Sequence, residues 1–293
     1  MKILSITLLL LVSGVAVAQD LINEIDKLSP PPSDYAIATF KGTRMVNFHT
    51  IETLSKGTLE VRIAHRFGSF STGSTNFYGL DGPATIQLRL DYAITNRLMV
   101  GVGRASDHKM EDAFVKYRLL RQTTNGSVPI SLTAMASINL DTEPNSLLGV
   151  DYYKYFSSRL AYMGTVMIAR KFNSRFSLQL SPVYIHYNMV QNLTDKNDML
   201  SLVGSTRYKL TKRMAFMMEY MHRVTLYSAN MTQYHPVLSI GLDIETGGHV
   251  FQVFVTNGYA INEVRTIPYT TAGFSNGMML GFNLSRVFTL RSR

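Results

Sequence analysis

The sequence predicts an all-β fold, a transmembrane antiparallel β-barrel of about 12 strands with short periplasmic turns and long extracellular loops. Three observations predict it. Hydrophobic residues alternate with polar ones through many successive segments, which we call arms. The arms are about ten residues long, the length that a membrane-crossing strand needs. Short and long connections between the arms alternate along the chain. After the first 18 residues, no stretch resembles a membrane-spanning helix, so the chain can cross a bilayer only as strands.

The stretch Ala84–Gly103 shows the repeating unit most clearly. Its first arm places Ile86, Leu88, Leu90, Tyr92 and Ile94 on one face and Thr85, Gln87, Arg89, Asp91 and Ala93 on the other. After the turn Thr95-Asn96-Arg97, the second arm repeats the pattern with Leu98, Val100 and Val102. Two alternating arms joined by a tight polar turn indicate a β-hairpin.

The N-terminus predicts secretion. Lys2 precedes an apolar run from Ile3 to Val17, which ends in Ala16-Val17-Ala18, the small-x-small pattern of a cleavage site. Residues 1–18 are therefore predicted to be a secretory signal peptide. With strands as the only means of crossing a bilayer, secretion predicts a location in the bacterial outer membrane.

Residues 19–57 form the predicted periplasmic N-terminal segment. Leu21, Ile22, Ile25 and Leu28 suggest a short amphipathic helix, which the following Pro30-Pro31-Pro32 would end. Ala38–Gly57 alternates too weakly to predict a strand. Two interpretations remain open: the segment enters the barrel as a plug, or it is a periplasmic linker.

Residues 58–293 are predicted to be the barrel. Alternation is sustained from Thr58 to the arm ending in Val287-Phe288, and charged residues occupy only one face of each arm. Short connections are expected around Asn96, Asn125-Gly126, Asn173, Thr211-Lys212 and Gly247-Gly248. Longer polar segments are expected at about 68–83, 104–111, 140–157, 188–198, 225–236 and 257–276. Both termini then fall on the periplasmic side. A soluble sandwich is disfavoured because its strands are typically about five or six residues long.

Charges on the inward face are the strongest functional feature of the sequence. Because charged groups cannot face lipid cheaply, they must face a wet or internally paired lumen. The interpretation that these charges pair and close the lumen stays open. The predicted lumen-facing charges are Glu60, Arg62, Arg66, Arg89, Asp91, Lys116, Arg118, Arg207, Lys209, Glu219, Arg223, Asp243 and Glu245.

No motif predicts catalysis, a cofactor or a metal site. The 7 histidines show no metal-binding spacing, and the absence of cysteine excludes thiolate ligands and disulfides. Many of the 16 methionines occupy the alternate positions of the arms that face inward, where they are expected to fill irregular space. The sequence therefore predicts a protein that is not an enzyme.

Basic residues collect beside the predicted periplasmic turns. The chain carries a net charge of +9, and acidic residues are nearly absent from these turns. Two explanations are open: the basic side chains contact phosphates of the outer-membrane lipid, or they dock an acidic periplasmic or envelope protein. Nucleic acid is not an expected partner. This periplasmic basic rim consists of Arg97, Arg121, Arg170, Lys171, Arg175, Lys212 and Arg213, with Arg291 and Arg293 at the end of the chain.

The chain also resembles a family of uncharacterised bacterial outer-membrane β-barrel proteins. The resemblance lies in TFKGTRMVNFHTIETLSKGTLEVRIAHRFG (Thr39–Gly68), NFYGLDGPATIQLRLDYAITNRLMVGVGR (Asn76–Arg104) and FVKYRLLRQ (Phe114–Gln122). It implies a barrel and no known reaction, and it hints at periplasmic c-type cytochromes or small lipocalin-like carriers as partners. Two functions are therefore expected: a passive channel or plugged barrel for small hydrophilic solutes, or a structural or docking subunit of an envelope complex.

Overall fold

The computed structural model describes residues 34–149, 152–190, 195–225 and 233–290. The predicted signal peptide, residues 19–33, Arg291 and Arg293 lie outside the described residues. The strands are β1 (Thr58–Ser69), β2 (Thr85–Ala93), β3 (Leu98–Ala105), β4 (Glu111–Leu120), β5 (Ser131–Leu140), β6 (Leu160–Lys171), β7 (Phe176–Tyr187), β8 (Asp198–Lys209), β9 (Met214–Arg223), β10 (Val237–Thr246), β11 (His249–Thr256) and β12 (Met279–Thr289). Three short helices are α1 (Asn145–Leu148), α2 (Glu263–Tyr269) and α3 (Phe274–Gly277).

The strands form one closed antiparallel barrel in which each strand pairs with its neighbours in sequence. Closure comes from β1 and β12, which pair from Thr58 opposite Thr289 to Arg66 opposite Gly281. Closure leaves no sheet edge exposed, as a barrel in lipid requires. The structure confirms the predicted all-β antiparallel barrel.

The two faces of the sheet differ as the alternation predicts. Along β2, Thr85, Gln87, Arg89 and Asp91 are buried, whereas Ile86, Leu88, Leu90 and Tyr92 are exposed on the outer surface. The same alternation runs through the other strands, so the outer surface is an apolar band suited to hydrocarbon. No helix among the described residues is long and apolar enough to cross a membrane.

Short and long connections alternate between the two ends of the barrel, with one exception. The connection 121–130, predicted to be short, is longer than 106–110 at the opposite end. The longer turn gains a partner in the N-terminal segment, because Tyr35 pairs with Thr123 and the main-chain N–H of Thr124 donates to Asp34 at 2.8 Å. At the other chain end, Leu290 donates to Gly57 at 3.0 Å, so both described ends lie beside the short turns.

Candidate functional site

Residues 39–54, which we call the finger, lie inside the barrel. They double back in a tight turn, because Thr50 donates to the Thr43 carbonyl at 2.9 Å and Met45 donates to the Phe48 carbonyl at 2.9 Å. The turn residues are fully buried, with Val46 and Phe48 each 0% exposed. Inward side chains from strands around the whole barrel contact the finger, so it occupies the lumen.

The carboxylate of Glu219 on β9 binds one side of the finger tip. It accepts the main-chain N–H groups of Asn47 at 2.9 Å and Phe48 at 3.0 Å. It also accepts a hydrogen bond from the Asn47 side-chain amide at 3.0 Å. Hydrogen bonds of this charge-assisted kind are among the stronger ones in proteins.

The opposite side of the tip meets hydrogen-bond donors. The Val46 carbonyl accepts from Arg62 at 3.1 Å, from Arg66 at 3.4 Å and from Asn283 of β12 at 3.0 Å. Arg66 also donates to Asn47 Oδ1 at 2.8 Å, and its guanidinium lies 4.4 Å from the centre of the Phe254 ring. The tip is thus held between acceptors on one wall and donors on the other.

Lumen side chains also bind the main chain on either side of the tip. The Gln179 amide donates to the His49 carbonyl and accepts from the Ile51 N–H, both at 2.8 Å. Thr133 donates to the Ile51 carbonyl at 3.0 Å, and Lys116 donates to the Thr43 carbonyl at 3.3 Å. The wall therefore recognises the finger chiefly through its backbone.

Apolar side chains of the finger pack into the methionine-rich lining of the barrel. Phe40, Met45, Val46, Phe48 and Ile51 belong to one buried cluster with inward methionines of the strands. Flexible thioethers suit this role because they adapt to an irregular surface. The methionines are Met99, Met135, Met163, Met167, Met199, Met217 and Met221.

Ion pairs and rim contacts hold the base of the finger at the periplasmic end. Arg118 binds Glu52 at 2.9 Å, and Lys41 binds Glu245 at 2.5 Å. Just before the finger, Lys171 donates to the Ile37 carbonyl at 2.6 Å, and the Arg121 guanidinium lies 4.1 Å from the centre of the Tyr35 ring. Arg121 and Lys171 of the predicted basic rim thus contact the chain's own N-terminal segment.

The remaining members of the basic rim lie at the surface. The guanidinium of Arg170 lies 5.3 Å from the centre of the Phe172 ring. Arg97, Arg170, Arg175, Lys212 and Arg213 are exposed. They form a basic surface around the short turns, open to lipid or to a protein.

The outer mouth contains α2, which folds inward from the connection between β11 and β12. Asn262 caps this helix by accepting from the Val264 N–H, and its amide donates to Asn139 at 3.0 Å. The Glu263 carboxylate pairs with Arg44 of the finger. The finger and α2, which we call the outer cap, are therefore joined inside the barrel.

Some of the predicted lumen charges pair with one another, others contact the finger, and Arg223 donates to the Pro268 carbonyl of α2 at 2.9 Å. Arg89 lies 3.6 Å from Asp91, and Arg207 lies 3.4 Å from Asp243. The buried members are Glu60, Arg62, Arg66, Arg89, Asp91, Lys116, Arg118, Glu219 and Asp243, whereas Arg207, Lys209, Arg223 and Glu245 are partly buried.

Sequence reasoning missed several charged residues of the lumen. Asp112 binds Arg89 at 2.6 Å and is buried, and it directly follows the long connection predicted at about 104–111. Asp112 lies two residues before Phe114 and four before Lys116, on the same face of the strand, and this alternation could have identified it as inward-facing. Arg44 and Glu263 lie outside the alternating arms, so no periodicity marked them.

A cavity adjoins the finger, and a larger groove lies on the outer surface of the barrel. The cavity of about 240 Å³ opens at the periplasmic end between the finger and β1, β11 and β12, and its lining includes Lys41, Thr43 and Glu60. The groove of about 790 Å³ is lined by apolar residues such as Leu88, Leu90 and Val102. Because these residues face outward, the groove belongs to the lipid-facing surface and not to the lumen. Among the described residues, no three His, Asp or Glu side chains cluster as metal ligands.

Comparison with known proteins gives a family and a general likeness. The family model "Membrane bound beta barrel domain (DUF5777)" matches residues 40–288. No curated protein sequence matches the chain.

Solved structures of similar shape include three barrels. The KdgM porin has a TM-score of 0.47 at 11% identity, covering 79% of this chain and 99% of the porin. The NanC porin has 0.48 at 10% identity, covering 79% and 98%. The COG4313 outer membrane channel from Pseudomonas putida F1 has 0.46 at 14% identity, covering 81% and 98%.

Proposed function

We propose that this chain, which belongs to the membrane bound beta barrel domain family, is a channel for small hydrophilic solutes and that the finger closes this channel. Membership of that family fits the outer-membrane location predicted from the sequence. No catalytic step is proposed. The finger is the plug in this account, and its withdrawal toward the periplasm opens the lumen.

One observation carries the proposal: the hydrophilic wall does not fill the lumen itself but binds a separate segment of the chain, the finger. Side chains fill the interior of eight-stranded barrels, whereas barrels of about 16 strands leave a channel. A barrel of this intermediate size needs extra material on its axis, and here the finger supplies it. A purely structural barrel would gain nothing from buried charges such as Arg62, Arg66 and Glu219 that face the axis.

The way in which the finger is held also supports withdrawal. Its polar contacts are worth about 0.5–1.5 kcal/mol net for each neutral hydrogen bond and about 1.5–3 kcal/mol where a charged group takes part, and water can replace them. Both ends of the finger lie at the periplasmic side, because Lys56 donates to the Asn96 side chain in a short turn at 2.9 Å. The segment can therefore leave without threading through the barrel.

Conductance in planar bilayers tests the proposal. The full-length protein should show rare openings, and a variant lacking residues 19–57 should conduct continuously, with a heat-dependent gel shift showing that the barrel has folded. Absence of current from both proteins would contradict the channel.

A docking role is the second candidate, and the exposed basic turns favour it. Arg97, Arg175, Lys212 and Arg213 present positive charge at the periplasmic end. Such a surface could bind an acidic envelope protein by charge complementarity. Co-purification from gently solubilised membranes tests this role; a barrel that always purifies alone would contradict it.

A further inference from the structure

Charged groups of opposite sign face the finger tip without pairing with each other. No described carboxylate oxygen lies within 4.0 Å of a guanidinium nitrogen of Arg62 or Arg66. No described cationic nitrogen lies within 4.0 Å of the Glu219 carboxylate. All three side chains are buried, with Arg66 and Glu219 each 0% exposed. Burying charges without an ion pair is costly unless hydrogen bonds compensate, and the finger tip supplies those hydrogen bonds.

A single carboxamide spans the gap between the two signs of charge. The Asn47 side chain accepts from Arg66 at 2.8 Å through its oxygen and donates to Glu219 at 3.0 Å through its nitrogen. Beside it, the Val46 carbonyl faces the arginines and the Phe48 N–H faces Glu219. The tip therefore presents acceptors to the cations and donors to the anion.

We propose that this pocket binds the ammonium and carboxylate groups of a zwitterionic amino acid or short peptide, which takes the place of the finger tip. The carboxylate would bind Arg62, Arg66 and Asn283, and the ammonium would bind Glu219. The inference rests on the proposed function, and it names the class of solute that opens and uses the channel.

Charge balance distinguishes this ligand from a simple ion. When the tip leaves, Arg62 and Arg66 lose the Val46 carbonyl, and Glu219 loses the N–H groups of Asn47 and Phe48. An anion would satisfy only the arginines, and a cation would satisfy only the glutamate. A zwitterion with its charges a few bonds apart satisfies both, as the Asn47 amide does in the closed state.

Contacts beyond the tip favour a peptide. Gln179 binds one carbonyl and one N–H of the finger backbone, and Thr133 binds another carbonyl. These contacts read groups that every peptide carries, so they do not select a particular side chain. The 240 Å³ periplasmic cavity is lined by Thr43 of the finger and by Glu60 of β1. Because Glu60 is two residues from Arg62 along the strand, this cavity gives a solute access to the site beside the finger.

Thiol labelling of the full chain tests the proposal. The protein has no cysteine, so Val46→Cys provides a single thiol at a position that is 0% exposed in the closed state. Dialanine should raise the rate of maleimide labelling about tenfold, within the usual range of coupling between a ligand and a conformational change. The doubly capped N-acetyl-dialanine amide should leave the rate unchanged.

Singly capped peptides assign each charge to its partner. In the Glu219→Gln background, dialanine and N-acetyl-dialanine should give equal accelerations, because the ammonium has lost its partner. In the Arg62→Gln/Arg66→Gln background, dialanine and dialanine amide should become equal, because the carboxylate has lost its partners. Arg207→Gln loses an ion pair to Asp243 and none of the described contacts to the finger, so it is the matched control and should retain the full discrimination.

The outcomes separate this inference from the channel itself. Equal acceleration by the doubly capped peptide or by acetate, or no acceleration by dialanine in folded protein, would overturn the zwitterion site. Labelling requires no current, so a barrel that responds to dialanine without conducting would contradict the channel and retain the site. A barrel that conducts but ignores dialanine would retain the channel and reject the site.

Discussion

At the scale of single residues, several buried charges of the lumen act on the backbone of the finger. Arg62, Arg66 and Lys116 donate to finger carbonyls, and Glu219 accepts finger N–H groups. The parity of the strands predicts which residues face inward, but it cannot predict that their partners are backbone atoms of a segment without periodicity. The sequence therefore predicts which charged residues face inward, but it does not predict the backbone groups that they bind.

Replacing the carboxylate at the tip should loosen the finger. Glu219→Gln removes the negative charge that accepts the Asn47 and Phe48 N–H groups, and it should destabilise the closed finger by about 1–3 kcal/mol. Hydrogen exchange at these two amides should accelerate accordingly. Asp243→Asn, which affects an ion pair with Arg207, should leave them protected; equal acceleration in both variants would show that general loosening, and not Glu219, is responsible.

Close packing on the inner face predicts a second residue effect. A Cβ at Gly101 would collide with the Asp91 carboxylate and the Phe114 ring, whereas one at Gly164 would meet nothing within 4 Å. Gly101→Ala should therefore lower the free energy of unfolding by about 1–3 kcal/mol, the usual cost of overpacking. Gly164→Ala is the matched control. Urea unfolding in detergent compares them, and equal midpoints would contradict the packing account.

At the scale of elements, periodicity decided what could be predicted. Strands such as β2 alternate because one face meets lipid and the other meets the lumen, so their sequences reveal them. The finger is enclosed on all sides and binds side chains in place of a neighbouring strand, so it has no alternating face. Helix α2 was predicted only as part of a long outer loop, because its 7 residues carry Pro268 and are too few to show a helical period.

The basic rim predicts a lipid effect. Lys212 and Arg213 are exposed beside the turn between β8 and β9. If they contact lipid phosphates, Lys212→Glu/Arg213→Glu should weaken the barrel in anionic vesicles by at least about 1 kcal/mol per basic residue replaced, and should have little effect in neutral detergent. Lys154→Glu, at an exposed site in an outer loop, is the control. Unchanged stability together with loss of a co-purifying protein would favour the docking role instead.

The outer loop between β5 and β6 should respond to acid. Burial opposes ionisation of Asp141, but hydrogen bonds from His108, the Glu143 N–H and Tyr153 outweigh it and hold the pKa of this carboxyl below its ordinary value. A lowered folded-state pKa stabilises the loop at neutral pH, and this contribution is lost as pH falls through that pKa.

Protease cleavage within residues 141–159 measures this response. The wild-type loop should resist at neutral pH and become sensitive in acid, below the ordinary aspartate pKa of about 3.9. Asp141→Asn should be sensitive already at neutral pH, with little further change in acid. A loop whose cleavage follows the same pH profile in both proteins would contradict the role of Asp141.

At the scale of the whole molecule, the barrel and its finger form one closed unit. The finger joins strands on opposite sides of the lumen, and Arg44 extends the connection to Glu263 of the outer cap. Opening therefore requires release of the tip from both walls and of Arg44 from the cap. The central claim is that departure of the finger, and not a change in the strands, opens the lumen to solutes.

A reversible lock on the finger tests that claim most directly. The Asn47 amide donates to Ser239 on β10 at 3.1 Å, so Asn47→Cys/Ser239→Cys places one thiol on the finger tip and one on the facing wall, to be joined as a disulfide by oxidation. Single-channel recording should show no openings from the oxidised variant and openings after reduction, while the two single-cysteine variants should open regardless of redox state. Equal currents from the oxidised and reduced double variant, with the disulfide verified, would contradict the claim that the finger closes the channel.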